Sequence, residues 1–446
     1  MTPIKFRLSD QDTRDEAVER LTTYFPLQAD GYECTTEILF DVLVKAAVTK
    51  QTIEAVCQDL DAVGGETIRG YLKEQVRIDD LHGLERQVNQ ALVAGLPRRI
   101  WKPKVEVAID LHDEPFYGHD AGLLALTCGG PAKKGTTRFF RLATAYLIFK
   151  DMRLTLGLLF VRPEDDLAEV VAALLRRLRI LGLKIKRLYL DKGFCAIPVL
   201  RYIEHSGWSA ILACPIRGKT GGTRALGQGR ASYLTEHTFK SQAYGTYTVP
   251  LAITRTYTSH RRSKRKKRRA TWLVFVVLNC RLHPKTIRKY YRRRFGIETS
   301  YRCMRQVRAW TTSRNGALRF LLMSLGFILV NLWIELRWRF CQLKRQGQRQ
   351  INTKLFELQR MLSFINRAID KIYGVVSFIS ANVAPLGICI LTKFGSTEAS
   401  DWRSLEGLFF LRRIKNWSKK PYSKTGGILT IGKPQYPQRL LKRIIQ

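Results

Sequence analysis

Apolar residues recur at helical spacing over 164–181, where Leu167, Val170, Val171, Leu174, Leu175, Leu178 and Leu181 share one face, predicting an amphipathic helix. Alternating or unbroken apolar runs at 105–110, 139–149, 153–161 and 185–191 predict strands. This alternation favours a mixed α/β sheet covered by helices. Two of the strands run into an acid. One closes on Asp110, and the other on Asp191 with the turn-forming pair Lys192-Gly193 after it. A carboxylate at a strand's end is expected to face a cleft.

The pattern changes on both sides of this core. Residues 1–97 read as helical, and Gly95 and Pro97 interrupt that pattern to set a boundary. Within them, short helices at 52–60 and 66–75 flank Gly64-Gly65, as in a helix-turn-helix with Thr67, Arg69, Gly70 and Lys73 towards DNA. A plain helical bundle is the alternative, because Ile53, Val56, Leu60, Ile68 and Leu72 serve any small core. Residues 98–340 form the candidate catalytic domain. The 107 positions from Asp191 to Glu298 exceed a simple connection, and strand-like stretches at 246–254 and 271–278 predict a β-rich insertion at about 196–285. The apolar stretch 320–334 reaches about 22 Å as a helix, short of a roughly 30 Å hydrocarbon core, and reads as a buried helix. Residues 341–446 read as a basic helical region, clearest at 353–372, with a mobile tail from 400.

Composition then narrows the partner. A formal charge of +39 and a pI near 10.2 favour a polyanion over a small-molecule substrate, and double-stranded DNA is the expected partner. The densest basic run, 260–269, contains Arg265, Lys266 and Lys267 and is followed by Trp272, which makes these four candidate DNA contacts. Arg69 and Lys73 join them from the helix-turn-helix. Nine cysteines without a Cys-x-x-Cys pair argue against a zinc site and a disulfide framework. Residues 1–30 show no signal peptide, and the expected compartment is the cytoplasm, without membrane attachment.

The candidate chemistry lies at 291–305. At about 100° per residue, Tyr291, Arg294, Glu298 and Arg305 project within an arc of roughly 60° on one helix. Arg302 lies one turn beyond Glu298. A solvated helix laced by Arg–Glu pairs is the plainer alternative. Three carboxylates on two strands and a helix, Asp110, Asp191 and Glu298, suit a pair of Mg²⁺ ions, with Mn²⁺ as substitute, because hard divalent cations take oxygen ligands. Such a pair serves phosphoryl transfer, and so the cutting or joining of a nucleic-acid backbone. Asp113 and Asp120 compete with Asp110 as the first ligand. His112, close by, reads as a loop histidine.

These blocks resemble the DDE-type transposases of the insertion sequence 4 superfamily, in particular the prokaryotic branch found in archaea and cyanobacteria. Their hallmark runs Tyr, Arg, Glu, Lys at the spacing of Tyr291, Arg294, Glu298 and Arg305, with Arg here in place of Lys. The phrases around Asp110, with Phe116-Tyr117-Gly118 after it, around Asp191-Lys-Gly-Phe194 and from Arg294 to Arg302 are similar to that family's three acidic blocks, and the likeness runs from about 100 to about 340. It implies a ribonuclease-H-like catalytic domain with a β insertion and helical N- and C-terminal regions. It also implies cut-and-paste transposition: cleavage at terminal inverted repeats, strand transfer into target DNA, and a homodimer associated with the nucleoid. Tyr291, Arg294 and Arg305 would then grip phosphates. A catalytically inactive DNA-binding descendant and a metal-dependent nuclease outside transposition remain as alternatives.

Overall fold

The computed structural model describes residues 7–377 except 61, 98–99, 150–151, 261–266 and 344–349. The sequence-predicted tail, and Arg265 and Lys266 of the basic run, lie outside these residues. Five helices come first: α1 (Asp10–Tyr24), α2 (Thr36–Thr49), α3 (Ile53–Leu60), α4 (Gly65–Gln75) and α5 (Leu81–Val93). Then follow β1 (Val105–Pro115), α6 (Ala121–Ala125), β2 (Cys128–Lys133), β3 (Thr136–Ile148), β4 (Thr155–Val161), α7 (Leu167–Ile180), β5 (Ile185–Leu190), α8 (Ile197–His205) and β6 (Ala210–Cys214). The chain continues through β7 (Tyr233–Ser241), β8 (Gly245–His260) and β9 (Lys267–Leu278), then α9 (Pro284–Tyr291), α10 (Gly296–Met304) and α11 (Gly316–Phe340). It closes with the short pair β10 (Gln342–Leu343) and β11 (Gln350–Ile351) and with α12 (Leu358–Tyr373).

The central order β4-β3-β1-β5-β6, with the first three strands antiparallel and the last two parallel to β1, is the ribonuclease-H-like arrangement. The strands of 196–285 extend this same sheet. β9 pairs antiparallel with β6, followed by β8 and β7, while β2 pairs with the start of β3. Alternation divides β1 between two cores. Val107 and Ile109 pack with α7 and α8, whereas Ala108 packs with the N-terminal helices and α9–α11. Asp110 shares the Ala108 face.

On that second face the helices before 97 and after 340 form one layer. α12 packs on α1 and α2, where Arg14 and Tyr373 both donate to the fully buried Asp41 at 2.7 Å and Lys45 reaches Asp370 at 2.5 Å. These links satisfy charges that burial alone would make costly. The core of α3 and α4 is Ile53, Val56, Leu60, Ile68 and Leu72, all buried, while Thr67, Arg69, Gly70 and Lys73 are exposed.

The expected apolar helix is longer than 320–334, because α11 takes in Arg319 at one end and Arg337 at the other. Its apolar window is 83% buried within the protein, so it is a core helix. One of its polar residues explains how it grips the sheet. β4 has a neighbour on one side only, and an open edge leaves backbone groups unpaired. Asn331 accepts from Thr155 N–H at 3.0 Å and donates to the carbonyls of Thr155 and Leu92 at 2.7 and 2.9 Å. Asn89 of α5 likewise accepts from and donates to Leu158, and Glu85 accepts from Phe160 N–H. Helix side chains thus take the place of a further strand.

Asn331→Leu removes three buried hydrogen bonds and leaves the Thr155 amide unpaired. A loss of about 3 kcal/mol in unfolding free energy is expected by urea denaturation, from about 1–3 kcal/mol per unsatisfied group. A loss below about 0.5 kcal/mol, the size of an ordinary surface substitution, would show that the edge is held otherwise.

Candidate active site

Register brings two carboxylates together. Ile109 pairs with Leu190 across the parallel β1–β5 pair, so the next residues, Asp110 and Asp191, stand on neighbouring strands about 4.8 Å apart. β1 does not end at Asp110 but runs on to Pro115, so the expected strand-end placement is corrected for this acid. The strand continues because its second half still pairs with β3, Asp110 facing Thr144 and Asp113 facing Arg141. Asp191 does follow the last residue of β5.

The third carboxylate arrives on a helix that is broken. α9 ends at Tyr291, Arg292–Phe295 form a tighter 3-10 turn, and α10 begins at Gly296. A 3-10 turn advances about 120° per residue, so Tyr291 and Arg294 come into line across it and, with Glu298, share the side of the helix pair that faces Asp191. Arg294 falls in this turn and is driven inward. It is only 7% exposed, donates to Asp110 Oδ2 at 2.8 Å, and lies 3.4 Å from Asp191 Oδ1 and 3.6 Å from Glu298 Oε1. One guanidinium thus stands among all three carboxylates. The expectation that Arg294 and Tyr291 offer themselves to phosphate changes accordingly. Tyr291 is buried, with its hydroxyl 3.2 Å from the Leu190 carbonyl and 3.5 Å from Asp191, and so holds the end of β5. Arg302 and Arg305 are exposed on α10 and at its end.

Two anchors fix this helix pair to the sheet. Tyr301, buried, shares a 2.5 Å hydrogen bond with Thr144, the residue opposite Asp110. Arg293 donates to Glu106 at 2.6 Å, and Glu106 also accepts from Tyr189 at 2.9 Å, four residues before Asp110 on the same strand face. Sequence reasoning missed Glu106, although an acid two alternations from Asp110 inside an apolar strand was the signal. Behind α10, α11 approaches so closely at Gly326 that an added Cβ would lie 2.7 Å from the Val307 carbonyl oxygen.

The other candidates lie elsewhere. His112 is buried in β1, not in a loop, with its ring centroid 4.7 Å from that of Tyr301. Burial opposes ionisation of Glu114, yet His112 and Arg308 hold its carboxyl at about 2. Asp113 pairs with Arg141 at 2.7 Å, and Asp120 caps α6. Trp272 lies in β9, three strands from β1, opposite Arg255, whose guanidinium is 5.7 Å from its ring. Lys267 opens the same strand. Arg69 is exposed and paired with Glu54. A cleft of about 490 Å³ is lined wholly by cations: Arg153, Lys285, Arg288, Lys289, Arg292 and Arg293.

Among the described residues, no three Asp, Glu, His or Cys side chains lie together closely enough to hold a metal ion as they stand. The donor set nevertheless suits a hard divalent cation. All three groups offer oxygen, and carboxylates that converge on one positive charge can converge on another.

Burial raises the Asp110 carboxyl to about 6; the Arg294 charge opposes that rise and the Asp191 charge adds to it. The folded protein therefore holds this proton more tightly than the unfolded chain, where the pKa is near 3.9. Stability falls as pH climbs from about 4 to about 6, and the cost, about 3 kcal/mol, is complete above that window. In chelator-treated buffer, Asp110→Asn is expected to be more stable than the native protein at pH 7 by about 2 kcal/mol, with the difference vanishing near pH 4. Equal stability of the two proteins at pH 7 would show that Asp110 carries no such cost.

Residues 148–332 match the family model described as the transposase DDE domain. No curated protein matches the chain. Among solved structures, the chain is similar to one described as the cryo-EM structure of piggyBac transposase synaptic complex with hairpin DNA. Identity is 12%, 82% of this chain and 79% of that one are covered, and the TM-score is 0.48. The matched segment holds Asp191, Arg294 and Glu298, and Asp110 stands just upstream on the strand beside it. Over 148–332, then, this chain resembles the DDE domain of transposases.

Proposed function

We propose that this protein is a DNA transposase that cleaves DNA at the ends of a mobile element and joins them to target DNA in a cut-and-paste manner. The convergence of Asp110, Asp191 and Glu298 on the single charge of Arg294 is the observation that carries the reading. Hydrolysis of a phosphodiester at the element end frees a 3′ hydroxyl, which then attacks a phosphodiester of the target. Two Mg²⁺ ions, or Mn²⁺ in their place, held by the three carboxylates, would supply charge stabilisation to the attacking and leaving oxygens.

The chain's own contribution is position and charge. Tyr291 fixes the backbone at Leu190 and thereby the direction of Asp191. Tyr301 and Arg293 fix α10 and thereby Glu298. Arg294 keeps three mutually repelling carboxylates together. Exposed Arg302 and Arg305, with the all-cation cleft beside Arg293, track the phosphate backbone. Arg69 and Lys73 on the exposed face of α4 are the proposed end-recognition contacts, and Trp272 and the run with Arg265, Lys266 and Lys267 add non-specific affinity. Two element ends must be held together for joining, which the proposal meets with a homodimer. The setting is the nucleoid in a prokaryotic cytoplasm, and the terminal inverted repeats are those of an insertion sequence of the prokaryotic branch named above.

The test is strand cleavage of labelled duplex carrying the DNA that flanks this gene, with Mg²⁺, by the native protein and by Glu298→Gln. Cleavage at a defined end is expected from the native protein and a loss of at least about 100-fold from the variant, the scale of removing a group that acts in the transition state, with DNA binding retained. Binding without cleavage by either protein would leave only a DNA-binding role. Equal cleavage by both would remove Glu298 from the site. Affinity for random duplex should also fall steeply with salt, by about a thousandfold or more between 50 and 200 mM if six or more phosphates are neutralised. A flat salt dependence would contradict the basic track.

A further inference from the structure

Trp310 is an unusual residue to find exposed. It is 61% exposed in the segment between α10 and α11, yet it is not on a loose loop. Its backbone N–H donates to the Gln51 carbonyl at 3.0 Å, and Asn315 of the same segment donates to the Val76 carbonyl at 2.6 Å. The segment is thus tied to the N-terminal helices while it leaves the catalytic helix pair. Two cavities, of about 610 and 710 Å³, meet at Trp310, Thr311 and Thr312. Tyr117, also 61% exposed, lines the first, on the turn that follows β1.

Cations outnumber carboxylates around this double cavity. Lys134, Arg308 and Arg319 line one side, and Arg69, Lys73 and Arg314 the other. Among the described lining residues two are carboxylates, and both are already paired: Glu114 with Arg308 and Glu54 with Arg69. Arg319 lies 5.5 Å from the Phe116 ring centroid and so extends an aromatic floor. Exposed π faces, hydroxyls and a surplus of cations together fit a nucleotide and disfavour an apolar peptide.

We infer that the Trp310 cleft binds an unpaired base of the DNA strand and stacks it on the Trp310 ring. This rests on the DNA reading above. A base inside a duplex offers no free face, so the occupant must be unstacked. The cleft's place sets where along the strand this happens. Phe116 lies six residues beyond Asp110 on the same run of chain, about 20 Å at the strand's rise per residue. That length corresponds to about six base steps. The unpaired base is therefore remote from the phosphodiester at the carboxylates, and the cleft holds DNA that is opened at a distance from the reacting bond.

The test compares two fluorescent probes of one sequence, a blunt duplex and the same duplex with a short unpaired tail carrying 2-aminopurine. Binding is followed by anisotropy, and stacking by 2-aminopurine quenching. The native protein should bind the tailed probe about tenfold more tightly than the blunt one, the size of one base–aromatic stack, and quench its base. Trp310→Ala should lose both the preference and the quenching while still binding blunt duplex. Trp310→Phe should keep most of both. Equal affinity of the native protein for the two probes, or a preference that survives Trp310→Ala, would overturn the cleft while leaving the DNA reading intact. Binding of neither probe by the native protein would overturn the DNA reading and the cleft with it.

Discussion

The site depends on one buried cation. Three carboxylates drawn from two strands and a helix repel one another, and burial penalises the charge of Asp110 further. Arg294 offsets part of that cost by standing within 3.6 Å of all of them. The tight turn at Arg292–Phe295 sets Arg294 in line with Tyr291, on the side of the helix pair that faces the sheet. The residual cost shows in Asp110, whose carboxyl is still pushed up to about 6 by burial. A site held under such tension is ready for a stronger cation than a guanidinium, which explains how one arrangement can be both stable without a ligand and open to one.

The rest of the fold keeps that centre rigid. α11 is wedged between α10 and the open edge of the sheet, where Asn331 and Asn89 complete the hydrogen bonding of β4. The close approach at Gly326 carries this rigidity to α10, and Tyr301 and the Glu106–Arg293 pair carry it to β1. On the outside, charge is left free where the inside has neutralised it. The six-cation cleft and the Trp310 cleft lie beside the carboxylates and beyond them, and both suit a polyanion.

Much of this was readable from residue pattern. The strands at 139–149 and 153–161 and the helix at 164–181 stand within a few residues of β3, β4 and α7, since alternation and helical period are strong over such lengths. The three acids stood out because each interrupts an apolar or basic run. What the pattern could not convey was the break in the helix over 291–305, since neither Gly296 nor the preceding arginines carry a strong stop signal, nor that the side shared by Tyr291 and Arg294 is buried against the sheet. Glu106 was passed over because a single acid in an apolar strand reads as an exception until its partners, Tyr189 and Arg293, are seen in space. The continuation of the sheet through β9, β8 and β7 was hidden too, since pairing between β6 and β9 joins residues sixty or more positions apart.

The most direct measurement is calorimetric titration of Mn²⁺ into the native protein, Arg294→Gln and Asp191→Asn. If Arg294 and a divalent cation compete for the same three carboxylates, Arg294→Gln will bind Mn²⁺ about tenfold or more tightly than the native protein, as expected when a full charge pair is removed from the competition, and Asp191→Asn will bind it weakly or not at all. Unchanged or weaker binding by Arg294→Gln would contradict the view that this guanidinium holds the place of the cation.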